Sequence, residues 1–178
     1  MEEKKNPKIL AVAGKGGVGK TSLAAALVKK LVETKKNAKI LAIDADPAVG
    51  LSTVLHVPVK ATIDDIRKQV VATVKDGDTK TALELLSDAK YEIYDAIVEQ
   101  DGYAFIAIGR PEAAGCYCKI NSYLKEVITM LSSRFDYVVI DGEAGIEQIN
   151  RRVMEKVTHL ICVTDASKKG CQVVKTIK

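Results

Sequence analysis

Tryptophan is absent from this 178-residue chain, phenylalanine occurs twice and tyrosine six times. With aromatics at 4%, the composition lacks the stacking platforms on which single-strand nucleic-acid binders rely. Long hydrophobic runs are also missing. The apolar stretches are as short as Ile9 to Ala13, far below the ~20 residues that a membrane span needs. Charge of one sign is scarce: the net charge is +4, the lysines are scattered, and tight clusters are limited to pairs such as Lys35-Lys36 and Lys168-Lys169. That distribution is no nucleic-acid footprint. Four cysteines point away from a disulfide framework. The start, Met1-Glu2-Glu3-Lys4-Lys5, carries acids and runs straight into a strand-like segment, which is neither a signal-peptide nor a transit-peptide layout. The expectation is a cytoplasmic protein with no nucleic-acid or membrane partner.

What is present reads as globular. Hydrophobic residues make up 47% and charged residues 28%, near the average for folded domains. No repeat, low-complexity tract or dividing linker interrupts the chain, so residues 1–178 are expected to form one domain. Lys8 to Ala13 is short, apolar and followed by Gly14, and Lys20 to Val32 then has helical periodicity through Leu23, Leu27, Val28 and Leu31. Further apolar runs are Ile40–Ile43 before Asp44, Phe105–Ile108 before Gly109, Tyr137–Ile140 before Asp141, and Leu160–Val163. Continuous rather than alternating runs suit strands buried on both faces of a parallel sheet. Strand alternating with helix predicts an α/β, doubly wound, mostly parallel sheet with ligands at the carboxyl ends of its strands. Residues 62–101 carry two helical patterns and no predicted strand; Thr62-Ile63-Asp64-Asp65 and Thr81-Ala82-Leu83-Glu84 have capping-box spacing, and Gly77 punctuates between them.

Gly14-Lys15-Gly16-Gly17-Val18-Gly19-Lys20-Thr21 fits G-x-x-x-x-G-K-[ST] between a predicted strand and a predicted helix, as a P-loop NTPase requires. The glycines let backbone amides turn inward on a phosphate, and the helix N-terminus adds positive potential. The cradle is assigned to Gly14, Gly16, Gly17, Val18, Gly19, Lys20, Thr21 and Ser22, with Lys20 on the β/γ-phosphates and the Thr21 hydroxyl on Mg²⁺. Asp141 ends a buried strand, where the acid of a Mg²⁺ shell is found, and Gly145 follows where a γ-phosphate-sensing loop would bend. Asp44 and Asp46 follow the second strand, Asp44 as a further nucleotide-site candidate. An acid at a strand end also serves as a helix or turn cap, and that reading stays open for Asp46 and Asp141.

Cys116 and Cys118 are two apart, so in an extended segment both project from one face. Thiolates select soft or borderline ions, and a tetrahedral site needs four ligands. One chain supplies two, and a two-fold dimer would supply the rest. Two unliganded small residues are the other reading of a bare C-x-C. Cys162, inside an apolar strand, is expected in the core; Cys171, His56 and His159 have no partner at ligand spacing. Arg151-Arg152 is a solvated helix face or a docking surface.

Lys15 is not required by the general motif. With Lys20-Thr21 it resembles the deviant Walker A loop of the MinD/ParA/nitrogenase-iron-protein family of dimeric ATPases. The resemblance implies that Lys15 reaches the partner's nucleotide in a homodimer, comparable to an arginine finger, and that Asp46 in Asp44-Ala45-Asp46-Pro47 orients the attacking water. Lys15, Lys20 and Asp46 are thus the implied catalytic residues. After Pro47 the chain departs from that family's pattern with Ala48-Val49-Gly50. Gly109 to Cys118, Asp141-Gly142-Glu143-Ala144-Gly145-Ile146-Glu147 and Arg151-Arg152 are similar to CooC-type accessory ATPases. This implies an ATP-dependent metallochaperone that inserts nickel into carbon monoxide dehydrogenase or acetyl-CoA synthase, with Ni²⁺ or Zn²⁺ held by Cys116 and Cys118 of both chains. A positioning or partitioning ATPase, or an iron–sulfur ATPase like the nitrogenase iron protein, is the alternative. Related ATPases continue beyond the helix that ends at Lys178, so the final strands of the family fold are expected to be missing.

Overall fold

The computed structural model describes residues 6–46, 49–73, 90–109, 129–142 and 157–177. Cys116, Cys118, Gly145, Arg151, Arg152, Gly77, Pro47, Ala48, the acidic start and the second capping box at Thr81 lie outside them.

Strands β1 (Lys8–Gly14), β2 (Ile40–Asp44), β3 (Val98–Gln100), β4 (Tyr103–Ala107), β5 (Tyr137–Asp141) and β6 (His159–Val163) form one sheet in the order β3-β4-β2-β5-β1-β6. Every pairing is parallel except β3 with β4. The helices are α1 (Lys20–Thr34), α2 (Gly50–Leu55), α3 (Ile63–Thr73), α4 (Lys90–Asp95) and α5 (Lys168–Ile177). Apolar residues populate both sheet faces because successive strand side chains alternate. Val12, Ala42, Val139 and Phe105 pack with Ala24, Ala25 and Val28 of α1 and Leu51 and Leu55 of α2. Leu41, Ile43, Val138, Ile140 and Ile106 pack with Ile63 and Ile66 of α3, Ile93 of α4 and Leu131. The small side chains of Ala24 and Ala25, fully or nearly fully buried, let α1 lie close on the sheet.

Three expectations need correction. The segment before the third predicted strand contains β3, a three-residue antiparallel edge strand too short and too exposed to leave an apolar run. It is joined to β4 by Asp101-Gly102, where Gly102 has φ +83° and lies against Val32 of α1. Next, β4 begins two residues before the apolar run and ends one residue early: Ile108 still donates its N–H to the Asp44 carbonyl at 2.8 Å, but Gly109, φ +80°, then turns the chain against Thr62 and Asp64. Finally, Cys162 is exposed rather than in the core. Its strand is the last in the sheet order, with Leu160 40% exposed, so an apolar run here does not mean two covered faces.

The capping box at α3 forms as the spacing requires. Asp65 N–H donates to Thr62 Oγ1 at 3.1 Å, and Thr62 N–H and hydroxyl donate to Asp65 Oδ2 at 2.9 and 2.7 Å. The Thr62 backbone N–H, then its hydroxyl, hold the Asp65 carboxyl below its ordinary value of 3.8. A depressed carboxylate adds stability that is present above the unfolded-state value and lost as pH falls through the folded one. We expect Thr62→Ala to cost ~1 kcal/mol at neutral pH. In urea titrations, the advantage of wild type over Asp65→Asn should shrink as pH drops below 3.8.

Candidate functional site

Strands β1, β2 and β5 end at the same edge of the sheet because their parallel registers align: Asp44 is opposite Asp141, Val12 is opposite Asp141, and β1 runs on from Val12 to Gly14. At the end of β1, Gly14 has φ +144°, and a Cβ there would fall on the Val163 carbonyl oxygen. Only glycine lets the loop leave the sheet between β5 and β6. Gly17 and Gly19 have φ +78° and +89°, and Gly19 precedes α1 in the left-handed conformation with no side-chain cap. The first amides of α1 are thus left for an anion rather than a side-chain cap. Lys20 is only 7% exposed and donates Nζ to the Lys15 carbonyl at 3.2 Å, which bends it back over the loop.

The three acids differ in environment. Asp141 is fully buried, and neither carboxylate oxygen has a hydrogen bond of ordinary geometry. Burial raises its pKa; the Thr21 hydroxyl opposes that rise, the Asp46 charge adds to it, and the Lys20 ammonium also opposes it. A buried carboxylate with orphaned oxygens beside the P-loop hydroxyl demands a partner. A hydrated Mg²⁺ held by Thr21 fits that demand. Asp44 is equally buried, but its oxygens are occupied by the N–H groups of Leu51, Asp46 and Ser52 at 2.9, 3.2 and 3.3 Å. Burial pushes its pKa up to about 6 against those hydrogen bonds. Asp46 is half-buried at the start of the turn into α2.

Lys15 points elsewhere: its Nζ pairs with Asp165 Oδ2 at 2.8 Å, the two side chains being 30% and 43% exposed. Asp165 also accepts from the Ser167 hydroxyl and N–H at 2.5 and 3.2 Å. The Lys15 and Ser167 contacts lower its pKa to about 2. Asp165 and Ser52 are site residues that sequence reasoning missed. Asp165 comes from the loop after β6, 150 residues away, and no local pattern marks it. Ser52, three residues beyond Val49, has only the spacing of a hydroxyl that can reach back to a turn carbonyl. Ser22 follows Lys20 and Thr21 in the first turn of α1. Among the described residues no group of three or more His, Cys, Asp or Glu could hold a metal by itself, and no helix is long and apolar enough to cross a membrane.

The family model described as anion-transporting ATPase, of the ArsA type, matches residues 7–147. The chain belongs to this ATPase family. An uncharacterized ATP-binding protein of Methanocaldococcus jannaschii is 41% identical to this chain over 170 residues, covering 96% of this chain and 66% of that protein. Among solved structures, a ParA family ATPase from Chlorobium tepidum matches with TM-score 0.63 at 19% identity, over 95% of this chain and 65% of that one. The septum site-determining protein MinD of Pyrococcus horikoshii, complexed with Mg-ADP, matches with TM-score 0.62 at 22% identity, over 96% and 64%. The chain therefore has the ParA/MinD fold, and it spans just under two thirds of the length of these relatives.

The close approach of Gly14 to β6 sets the position of the whole loop. We expect Gly14→Ala to destabilise by ~2 kcal/mol or more through overpacking against the Val163 carbonyl, read as a lowered urea midpoint, whereas Gly16→Ala, where a Cβ meets nothing within 4 Å, should leave the midpoint nearly unchanged.

Proposed function

We propose that the protein hydrolyses ATP with Mg²⁺ as a cytoplasmic homodimer and uses the reaction as a switch. The observation that carries this reading is the convergence of the buried Lys20, Thr21 and the hydrogen-bond-starved Asp141 at the mouth of a glycine loop. The amides at the start of α1 and the Lys20 ammonium would bind the β- and γ-phosphates, with Gly14, Gly16, Gly17, Val18, Gly19 and Ser22 completing the cradle. Mg²⁺, which Thr21 and Asp141 would hold, would supply charge that neutralises the developing phosphate oxygens. Asp46, close enough to bear on Asp141 electrostatically, would orient the attacking water. Lys15 would act across the dimer. Its ion pair with Asp165 is solvent-exposed and therefore cheap to exchange for a phosphate of the partner's nucleotide.

Mixed dimers test the division of labour. Lys20→Ala should abolish nucleotide binding or turnover, while Lys15→Ala and Asp46→Ala should each bind nucleotide and turn over slowly. Mixing Lys15→Ala with Asp46→Ala chains should restore activity, because one of the two sites then has an intact pair. No recovery, with heterodimers demonstrated by differential tagging, would rule out a lysine acting in trans.

A second, narrower reading is favoured by Cys116-Tyr117-Cys118 and by the CooC-type resemblance: the dimer carries Ni²⁺ or Zn²⁺ on four thiolates as cargo for carbon monoxide dehydrogenase or acetyl-CoA synthase. The ParA/MinD-type positioning role suits the family and fold equally well. Metal titration separates them. The nickel reading expects one ion per two chains, tighter binding with a non-hydrolysable ATP analogue than with ADP, and loss of the ion in a Cys116→Ser, Cys118→Ser variant. Absence of stoichiometric metal would leave the positioning role, and a brown protein as isolated would indicate an iron–sulfur cluster.

A further inference from the structure

The turn that carries Asp46 is closed into a hydrogen-bonded ring. Asp46 N–H donates to Asp44 Oδ1 at 3.2 Å; Val49 N–H donates to the Asp46 carbonyl at 2.9 Å; the Ser52 hydroxyl donates to the Val49 carbonyl at 2.8 Å. Ser52 N–H then returns to Asp44 Oδ2 at 3.3 Å, beside Leu51 N–H at 2.9 Å. Both side chains in the ring are buried, where such bonds strengthen one another and a broken link leaves an unpaired polar group. The ring holds something that would otherwise relax. Val49 is a β-branched residue at φ +51°, a conformation that persists only where its surroundings impose it. Gly50, next along, lies against the Thr21 side chain, so the same turn is seated on the P-loop.

We infer that Asp44 and Ser52 are positioning residues for Asp46, which rests on the reading of Asp46 as the water-orienting group. Asp44 is then not a nucleotide ligand. Its carboxylate has no exposed surface and is engaged by three backbone amides; its work is to fix the loop at both ends while Ser52 locks the strained Val49. A displaced catalytic group costs turnover far more than binding, so the signature is a split between kcat and nucleotide affinity.

The test is steady-state ATPase, Kd for a fluorescent ATP analogue with Mg²⁺, and amide hydrogen exchange on the purified protein. Ser52→Ala should lower kcat ~tenfold with Kd within ~twofold, and should speed exchange at the Val49 and Asp46 amides. Ser52→Thr, which keeps the hydroxyl, should recover most of the loss. Asp44→Asn turns an amide NH₂ toward one end of the ring and should lower kcat ~hundredfold. Unchanged kcat and exchange in Ser52→Ala, or a Thr variant as impaired as the Ala variant, overturns the inference; so does an Asp44→Asn protein with wild-type kcat and a weakened Kd, which makes Asp44 a nucleotide ligand. Should Asp44→Asn fail to fold, the Ser52 pair decides alone. Wild-type turnover in Asp46→Ala would instead sink the water-orienting assignment, while the exchange data would still report on the ring.

Discussion

Parallel pairing in a fixed register is the constraint on which the site depends. Gly14 against Val163, Val12 against Asp141 and Asp44 against Asp141 bring the ends of four strands to one edge of the sheet, and the alternation of side chains puts Asp44 and Asp141 on the face that α1 covers. Slipping β2 or β5 by one residue would turn its acid to the opposite face. The same burial that forms the sheet strips water from both carboxylates and raises their pKa, so the chemistry at the strand ends follows from how tightly the strands pack.

The two lysines of the loop divide along the same line. Lys20 is covered and folded back onto the Lys15 carbonyl, a charge kept close to where phosphate would lie. Lys15 is at the rim and pairs in water with Asp165. A desolvated cation interacts strongly but has few alternatives, whereas a solvated one changes partner at little cost. Two positions five residues apart in one motif thus supply a covered group and a solvated one.

The P-loop was legible in the sequence because its signal is local: glycines where the backbone takes positive φ, a lysine and a threonine at the helix start. Strands β1, β2, β4 and β5 were legible because strands covered on both faces need continuous apolar residues; the run in β6 was legible as a strand, but not its exposure. Long-range partners were not. Asp165 meets Lys15 only because β6 pairs with β1, and no spacing records a contact across 150 residues. Nothing in Asp44-Ala45-Asp46 reveals that three amides are folded onto the Asp44 carboxylate. Cys162 looked buried because hydropathy cannot tell a central strand from one at the end of the sheet. The strand at Val98–Gln100 left no run, although Asp101-Gly102 is a hairpin turn pair.

The strand order also dictates when the site can exist. Among the described residues the only strand pairing between chain neighbours is β3 with β4, closed by a two-residue turn, and such hairpins form in microseconds. Strand β1 is made well before its partners, which begin at Tyr137 and His159. A chain growing at roughly 5–20 residues per second therefore holds its glycine loop unanchored for many seconds, with Val12 and Ala13 unpaired on both sides. The phosphate cradle is written well before the strands that anchor it, so the P-loop is seated in the sheet only once β5 and β6 have both been made.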